Sequence, residues 1–480
     1  YGAGRNGKFE GPWNTSTGTP VYDATNGASF GSWGPKMENQ KIIDWDGKEG
    51  TFSPQPDNYK DYFRTGTTVN NSLSLSGGFK STTYRVTLAD LRTRDIVPNS
   101  DMNRTNLGLN SGIKLHDKVA LSLYGSYVHQ KFNNRLGLSD AHNNVNRNYI
   151  QMPRNISNES LENNLMNSTG YAQTWYRNWN WMSNPFWDEL YEQNQDNKNR
   201  VFGNVSLLID LDSNLTLILR TAPDYSKHNF TNRDAIHGLI NSLGSYHEKE
   251  IERSLFNSDF LLSYKKEWTK FTMMANVGGN AMYDKSYITT SETQGGLVNP
   301  DDYSIGNSLN PPKTQKYKYE KAVNSVYFSG QVGYRGFLYA DVTARNDWSS
   351  TLPKGNNSYF YPSISSGFVF SEIMKLSPKW QKIFSHGKIR ASWAAVGNDT
   401  DPYRINKTYF IDNIDTYGPI AYVSTTIPPL DLKPEKQVSK EIGTDLRFWI
   451  DRIGIDFSYY QTNSYNQIVR IDISPASGSK

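Results

Sequence analysis

The sequence contains no cysteine among its 480 residues. This absence excludes a disulfide framework, cysteine-ligated zinc or iron–sulfur sites, and thiol catalysis. The sequence also lacks any long uninterrupted apolar run, which excludes a transmembrane helix. Charge of neither sign dominates, because 51 basic residues stand against 47 acidic ones for a net charge of +4. Since no block of Lys and Arg occurs either, no nucleic-acid partner is expected.

Aromatic residues, in contrast, are abundant. The chain has 31 tyrosines, 12 tryptophans and 21 phenylalanines, although only 36% of its residues are hydrophobic. Such a composition is unusual for a helical enzyme and suits strands that are exposed on one face. The chain begins at Tyr1 without a signal peptide and ends at Lys480, soon after a new strand pattern starts. We therefore expect an internal part of a longer protein.

Hydrophobic residues alternate with polar ones along much of the chain. In 67–79, for example, Val69, Leu73 and Leu75 share one face, whereas serines, threonines and asparagines occupy the other. This period of two predicts strands with one apolar and one polar face. We predict fourteen strands, near 67–79, 83–94, 105–116, 119–129, 200–210, 214–225, 251–265, 269–283, 323–334, 337–346, 360–371, 387–397, 437–450 and 453–463. Alternation alone also fits a soluble β-sandwich.

The connections between these strands alternate in length. Tight turns alternate with long connections, which we place at 130–199, 226–250, 284–322, 347–359 and 398–436. One connection on the tight-turn side, 372–386, is longer and predicts a short amphipathic helical turn. Short turns on one side and long loops on the other predict a transmembrane antiparallel β-barrel with periplasmic turns and extracellular loops. Tyr and Trp near the strand ends fit an interfacial girdle or, alternatively, ordinary cross-strand packing.

Several short motifs occur in the order in which one transporter family has them. Residues 61–66 read DYFRTG, 70–78 NNSLSLSGG and 277–280 VGGN. The most specific run is ARNDWSS at 344–350, followed by YPSIS at 361–365, KIRASW at 388–393 and LKPE at 432–435. Together these segments resemble the SusC/RagA group of TonB-dependent outer-membrane transporters.

The resemblance implies a 22-stranded barrel that encloses an N-terminal plug. It also implies a SusD-like surface lipoprotein over the barrel mouth, and energy from the TonB complex through a segment upstream of the plug. We expect residues 1–66 to be an extracellular loop region entering the barrel, and residues 67–473 to be part of the barrel itself. Fourteen strands are too few for the family barrel, so the plug and both ends of the barrel are expected outside this sequence.

The motifs that could indicate catalysis lie in unsuitable surroundings. Residues 2–7 fit the dinucleotide pattern G-x-G-x-x-G, but no strand precedes them and Pro12 soon follows. Residues 27–31 fit the G-x-S-x-G nucleophile elbow, but their neighbours are typical of a loop. The seven histidines show no metal-ligand spacing. Aspartates at 301–302 and 412–415 could bind Ca²⁺ in a loop, although a solvated loop is favoured. We therefore expect no enzyme activity and no cofactor.

Tryptophans in the predicted long loops are the candidates for binding. An indole face can stack on a sugar or hold a peptide side chain, with neighbouring Asn and Asp supplying hydrogen bonds. The alternatives are packing of one loop on another and contact with the partner lipoprotein. Trp179 and Trp181 would share one face of an extended segment and are the first choice. The full set of candidate contacts is Trp13, Trp33, Trp175, Trp179, Trp181 and Trp187.

Three functions remain open from the sequence. The first is active import of a large nutrient, a glycan or an oligopeptide, across the outer membrane of a Bacteroidetes-like bacterium, through a polar lumen lined by residues such as Arg85, Asn110 and Glu441. The family often pairs two transporter–lipoprotein units into a dimer. The second is a passive porin-like channel, because an even count near fourteen strands could close by itself. The third is a soluble all-β lectin or glycosidase, for which no acid pair is found.

Overall fold

The computed structural model describes residues 8, 13–14, 19–20, 34–176, 182–374, 377–406, 408–414, 418–423, 429 and 431–469. One antiparallel sheet of fourteen strands dominates the described part of the chain. Its strands are β1 (Thr67–Phe79), β2 (Thr82–Arg94), β3 (Asp101–His116), β4 (Val119–Asn133), β5 (Glu192–Asp212), β6 (Leu215–Ile236), β7 (Leu243–Glu267), β8 (Phe271–Leu297), β9 (Ser308–Tyr334), β10 (Leu338–Ser349), β11 (Ser358–Phe368), β12 (Phe384–Asn398), β13 (Glu435–Phe448) and β14 (Ile453–Tyr465).

The remaining elements are small. The α-helices are α1 (Asn58–Tyr62), α2 (Val145–Gln151), α3 (Asn158–Asn163), α4 (Pro185–Tyr191) and α5 (Pro378–Ile383). Two 3-10 turns lie at Ile305–Asn307 and Phe370–Glu372, and three two-stranded hairpins pair Trp13–Asn14 with Thr19–Pro20, Gln40–Ile43 with Glu49–Phe52, and Tyr409–Ile414 with Gly418–Val423. None of the helices in the described residues is long and apolar enough to cross a membrane.

The strand order follows the chain order without a crossover. Every strand pairs with its neighbours in sequence, and each of the fourteen predicted strands is present at its predicted place, which confirms the all-β antiparallel fold. Within the described residues, β1 pairs only with β2 and β14 only with β13, so the sheet has two free edges. The porin-like alternative would require these fourteen strands to close into a barrel, and in the described residues they do not.

The register gives the sheet two chemically distinct faces. Leu73 pairs with Leu88, and Leu88 pairs with Leu107, so apolar side chains stand side by side across β1 to β3. At the other end of the sheet, Ile442 continues this face through its partner Tyr459. Cross-strand partners point to the same side of a sheet. The apolar side chains therefore form one continuous face, which we call the outer face; the opposite, polar side is the inner face.

Five central strands are much longer than the sequence predicted. The strands β5 to β9 contain 21, 22, 25, 27 and 27 residues, whereas about 9–11 suffice to cross a bilayer. The prediction that 226–250 and 284–322 are loops is therefore wrong, because most of these residues belong to β6 to β9. Their outer faces carry charges instead of apolar residues, for example Lys227 beside Glu250 at 2.8 Å, so the apolar alternation that marks a membrane strand is lost although pairing continues.

At the end of the sheet where β5 to β9 extend, two connections are long, as predicted. They are 134–191, which contains α2 to α4, and 399–434, which contains the hairpin at Tyr409–Val423. At the opposite end the turns are tight, apart from the connection 369–383, where the predicted helical turn is confirmed as α5. A chain of aromatic rings follows this tight-turn end from Phe271 and Tyr334, whose centroids are 4.8 Å apart, to Phe384 and Phe448 at 5.4 Å.

The long connection 134–191 packs with the segment before β1 into a compact unit, which we call the cap (described residues of 40–66 and 134–191). Its hydrophobic core contains Tyr62, Tyr149, Ile156, Leu161 and Tyr176. Asparagine and serine side chains start its helices: Asn144 accepts hydrogen bonds from N–H groups of α2, and Ser157 does so for α3. The Asn58 side chain donates to the Ile156 carbonyl at 3.0 Å, which ties the two segments together.

Candidate functional site

The inner face carries a row of ion pairs toward the long-loop end. Arg200 on β5 contacts Asp224 on β6 at 2.5 Å, and the same pairing joins β7 to β8 through Arg253 and Asp284 at 2.6 Å. The row ends where Lys321 of β9 reaches Asp399 of the long connection after β12, at 2.6 Å. Because β-strands place every second side chain on one face, consecutive strands can present alternating cations and anions in this way. The arrangement offers hydrogen-bond donors and acceptors at regular spacing.

A cleft opens beside this row. It has a volume of about 770 Å³ and lies between the inner faces of β7 to β9 and the turn at 401–404. Its lining combines charged groups with three aromatic rings: Arg253, Asp284, Tyr317, Tyr319, Lys321 and Tyr403. The Tyr317 hydroxyl donates to Gln315 Oε1 at 3.0 Å. A site that mixes flat apolar faces with charged hydrogen-bonding groups can hold a large polar ligand by its side chains and its backbone.

A second cleft, of about 530 Å³, lies on the inner face closer to the tight turns. Its floor is a polar row that crosses five strands from β9 to β13 in register: Gln331, Asp341, Ser365, Ser392 and Glu441. Arg390 stands beside it and donates to Asp456 on β14 at 2.8 Å. The backbone at Gly443 makes room, since a Cβ there would lie 2.9 Å from the Arg390 guanidinium.

The residues predicted to line the lumen share the inner face, on strands at the two ends of the sheet. Arg85 pairs directly with Asn110, and Asn106 lies on the same side. Glu441 belongs to the polar row, and Asp445 follows it four residues later on β13. The register therefore confirms that these polar positions face away from the apolar side. The ion-pair row itself was missed, because Asp284 and Lys321 lie just outside the strands predicted at 269–283 and 323–334.

The cap contains buried carboxylates. Asp188 lies in α4, and its Oδ2 accepts a hydrogen bond from Ser183 Oγ at 2.6 Å. Burial and the nearby charge of Glu192 hold the pKa of Asp188 well above its usual range. Burial also raises the pKa of its neighbour Glu189 to about 7. The His142 ring contacts Glu192 Oε2 at 2.7 Å. Burial lowers the pKa of His142, but this carboxylate outweighs the effect, so the pKa is raised.

The structure describes only part of the predicted tryptophan set. Trp175 is 6% exposed and Trp187 1% exposed, and both pack inside the cap. Their rings take the packing role that the sequence left open, since Trp187 stacks on Tyr191 with centroids 4.2 Å apart. The prediction for Trp33, Trp179 and Trp181 lies outside the described residues, and that for Trp13 falls on a side chain that the structure does not describe.

The described residues contain no group of three or more His, Asp or Glu side chains close enough to hold a metal ion. Near Asp301 and Asp302, the Asn307 side chain donates to the Asp302 carbonyl at 2.6 Å and so closes this loop with its own hydrogen bonds. A loop-bound Ca²⁺ stays a prediction.

Comparison with known proteins identifies the family of this chain. Residues 148–479 match the family described as "TonB dependent receptor-like, beta-barrel". The comparison with curated proteins gave no match. Among solved structures, the RagAB peptide transporter matches at 17% identity and a TM-score of 0.70, over 89% of this chain and 48% of that one. The RagAB peptide importer in its "open-open" state matches at 17% identity and a TM-score of 0.69, over 88% and 46% of the two chains.

A more distant match is the ferripyoverdine receptor of the outer membrane of Pseudomonas aeruginosa. Its identity is 11% and its TM-score 0.50, over 83% of this chain and 47% of that one. The chain thus spans about half the length of the structures that it matches. The family match confirms the expected TonB-dependent receptor and agrees with the expectation of a non-enzymatic protein. The RagAB structures share the fold that the resemblance to SusC/RagA-like transporters implies. The chain belongs to the TonB-dependent receptor β-barrel family.

Proposed function

We propose that this chain is part of an outer-membrane transporter that actively imports oligopeptides. The observation that carries the proposal is the two-faced sheet: a continuous apolar outer face and an inner face with rows of ion pairs. Such a sheet suits a wall between lipid and a water-filled lumen. Membership of the TonB-dependent receptor family supports placement in the outer membrane, with the tight turns in the periplasm and the cap outside the cell.

The cleft at the long-loop end supports the choice of substrate class. A peptide carries charged termini and a repeating amide backbone, whereas a neutral glycan carries no charged group. Arg253, Lys321 and Asp284 can each pair with a charged group of a peptide, and the tyrosine rings can pack on its side chains. The similar solved structures include a transporter described as a peptide importer, which supports the same class.

The partners follow from the family resemblance. We propose a SusD-like surface lipoprotein over the cap, energy from the TonB complex through the plug region of the full-length protein, and pairing of two transporter–lipoprotein units. No cofactor takes part in this function. Import by this route needs no covalent chemistry, because binding in the lumen and release on movement of the plug are sufficient.

The test is uptake in cells. A strain lacking the full-length gene would be complemented with the wild-type protein and offered a labelled mixture of oligopeptides, or a labelled oligosaccharide mixture of similar size. We expect peptide uptake that depends on the protein and disappears when the proton gradient is collapsed. Uptake of the oligosaccharides alone would contradict the substrate class. Uptake that continues without the gradient would contradict active transport.

A further inference from the structure

The outer face contains an apolar groove at the tight-turn end. Its volume is about 550 Å³, and it lies where β7, β8 and β9 meet, lined by Trp268, Phe271, Met273 and Val332. Lys266, Met273 and Val332 stand side by side on this face through the pairing of β7 with β8 and of β8 with β9. The Trp268 and Phe271 side chains are 48% and 46% exposed. Large apolar surfaces of this kind are normally covered.

Three cations surround the end of the groove. Lys270 belongs to the turn after β7 and lines the groove itself. Lys266 lies with its Nζ 5.5 Å from the centre of the Trp268 ring, and the Arg335 guanidinium lies 5.5 Å from that of Tyr334. Within the described residues, none of these three has an acidic partner; the nearby Glu267 is paired with Lys265 at 2.9 Å.

The backbone holds the two turns together. The Arg335 N–H donates to the Lys270 carbonyl at 2.8 Å, and the Trp268 N–H donates to the Phe271 carbonyl at 2.7 Å. The Phe271 and Tyr334 rings are in contact, with centroids 4.8 Å apart. The turn that carries Arg335 and the turn that carries Lys270 are therefore joined directly at the end of the groove.

We propose that this groove binds an anionic phospholipid of the surrounding membrane. One acyl chain lies along Met273 and Val332, and the phosphate group lies among Lys266, Lys270 and Arg335. The proposal rests on the proposed membrane placement. A phospholipid in the bilayer places an apolar chain beside the groove and its anionic phosphate beside the cations. Tryptophan and lysine side chains at a membrane interface contact lipids in this way, with the indole ring at headgroup level and the ammonium toward the phosphate. Each cation near an anionic surface strengthens binding about fivefold.

The experiment uses the full-length transporter in a nonionic detergent and native mass spectrometry. Dioleoyl phosphatidylglycerol or dioleoyl phosphatidylcholine is titrated into the wild-type protein and into the variants Lys270→Gln and Lys266→Gln/Lys270→Gln/Arg335→Gln. The matched control is Lys316→Gln, which removes one charge from the same outer face at the far end of β9. The melting temperature of each variant shows whether it folds.

We expect wild-type protein to bind phosphatidylglycerol at least tenfold more tightly than phosphatidylcholine. Lys270→Gln should weaken phosphatidylglycerol binding about fivefold, the triple variant at least tenfold, and Lys316→Gln not at all. Equal affinity for the two lipids, or unchanged phosphatidylglycerol binding by the folded triple variant, would overturn the lipid site. Val332→Trp fills the groove and should reduce binding of both lipids.

The outcome for the lipid site is separate from that for transport. Wild-type protein that supports peptide uptake in cells, yet shows no lipid preference in detergent, would disprove the lipid site and leave the proposed function intact. Failure of the full-length protein to insert into any vesicle would disprove the membrane placement, and with it both proposals.

Discussion

Arg253 on β7 and Asp284 on β8 form a bidentate ion pair on the inner face. Arg253 Nη2 lies 2.6 Å from Asp284 Oδ2, and Arg253 Nε lies 3.0 Å from Asp284 Oδ1. The Arg253 side chain remains 53% exposed. Such an exposed pair adds about 0–1 kcal/mol to stability. Its position at the edge of the 770 Å³ cleft therefore suggests a role in binding rather than in folding.

Replacing Arg253 tests this role directly. We expect Arg253→Gln to change the free energy of unfolding by less than about 1 kcal/mol. It should weaken binding of a peptide with an acidic side chain about tenfold, since one charge-assisted hydrogen bond contributes about 1.5–3 kcal/mol. Affinity is measured by isothermal titration with the full-length protein. Arg220→Gln is the matched control, because Arg220 forms a similar pair with Asp259 at 2.9 Å outside the cleft; equal losses in both variants would argue against the cleft.

The assignment of the two faces gives a second prediction. Leu109 and Asn110 are neighbours in the middle of β3, and Leu109 pairs with the apolar Val86. Leu109→Arg should cost about 2–4 kcal/mol in a bilayer and block insertion. Asn110→Arg meets Arg85 across the strand pair, and like charges there cost only about 0.2–1 kcal/mol. Folding into vesicles is followed by gel mobility without heating, and equal behaviour of the two variants would refute the face assignment.

The sequence was sufficient to predict the strands and their faces wherever apolar and polar residues alternate. In β1 to β3, residues such as Leu73 and Leu88 alternate with polar neighbours, and both the strands and their shared face followed from that period. The sequence was insufficient to predict how far β5 to β9 continue beyond their apolar residues. Glu250, for example, lies on an outer face and pairs with Lys227, so the alternation there is between polar side chains and cannot be distinguished from a loop.

The cap was missed for a different reason. Its helices have five to seven residues and are too short to show a helical period. Their stability comes from contacts distant in sequence, such as the hydrogen bond from the Trp45 indole to Ser160 Oγ at 3.1 Å. The burial of Trp175 and Trp187 could not be predicted, because composition alone does not distinguish a buried ring from an exposed one.

Trp187 therefore provides a third prediction. Its side chain is 1% exposed in the cap, and removal of a buried tryptophan costs about 3–5 kcal/mol. We expect Trp187→Ala to open the loop 134–191 to limited proteolysis while the fourteen-stranded sheet remains protected. Ile150→Ala is the control, because Ile150 is 79% exposed on α2 and its loss should change little. Reduced ligand affinity with an intact cap would instead indicate direct contact between Trp187 and the ligand.

The buried acids of the cap make its stability depend on pH. The pKa of Glu189 rises from 4.5 to about 7 on folding, chiefly through burial, so the folded cap binds this proton more tightly than the unfolded segment does. Its contribution to stability is complete below pH 4.5 and is lost as the pH rises through 7. His142 acts in the same direction, because its pKa is also raised in the fold, above 6.5.

We therefore expect the cap to open more readily at pH 8.5 than at pH 6, by on the order of 2 kcal/mol. The measurement is hydrogen exchange of the amides in α1 to α3, corrected for the intrinsic effect of pH on exchange. Glu189→Gln mimics the protonated acid at every pH, so this variant should protect the cap at pH 8.5 and make the pH dependence shallower. Asp61→Asn, which removes an exposed acid from α1, should leave the dependence unchanged. A cap that is better protected at pH 8.5 than at pH 6 would contradict this assignment, because the neutral forms of the buried acids could then not be what the fold stabilises.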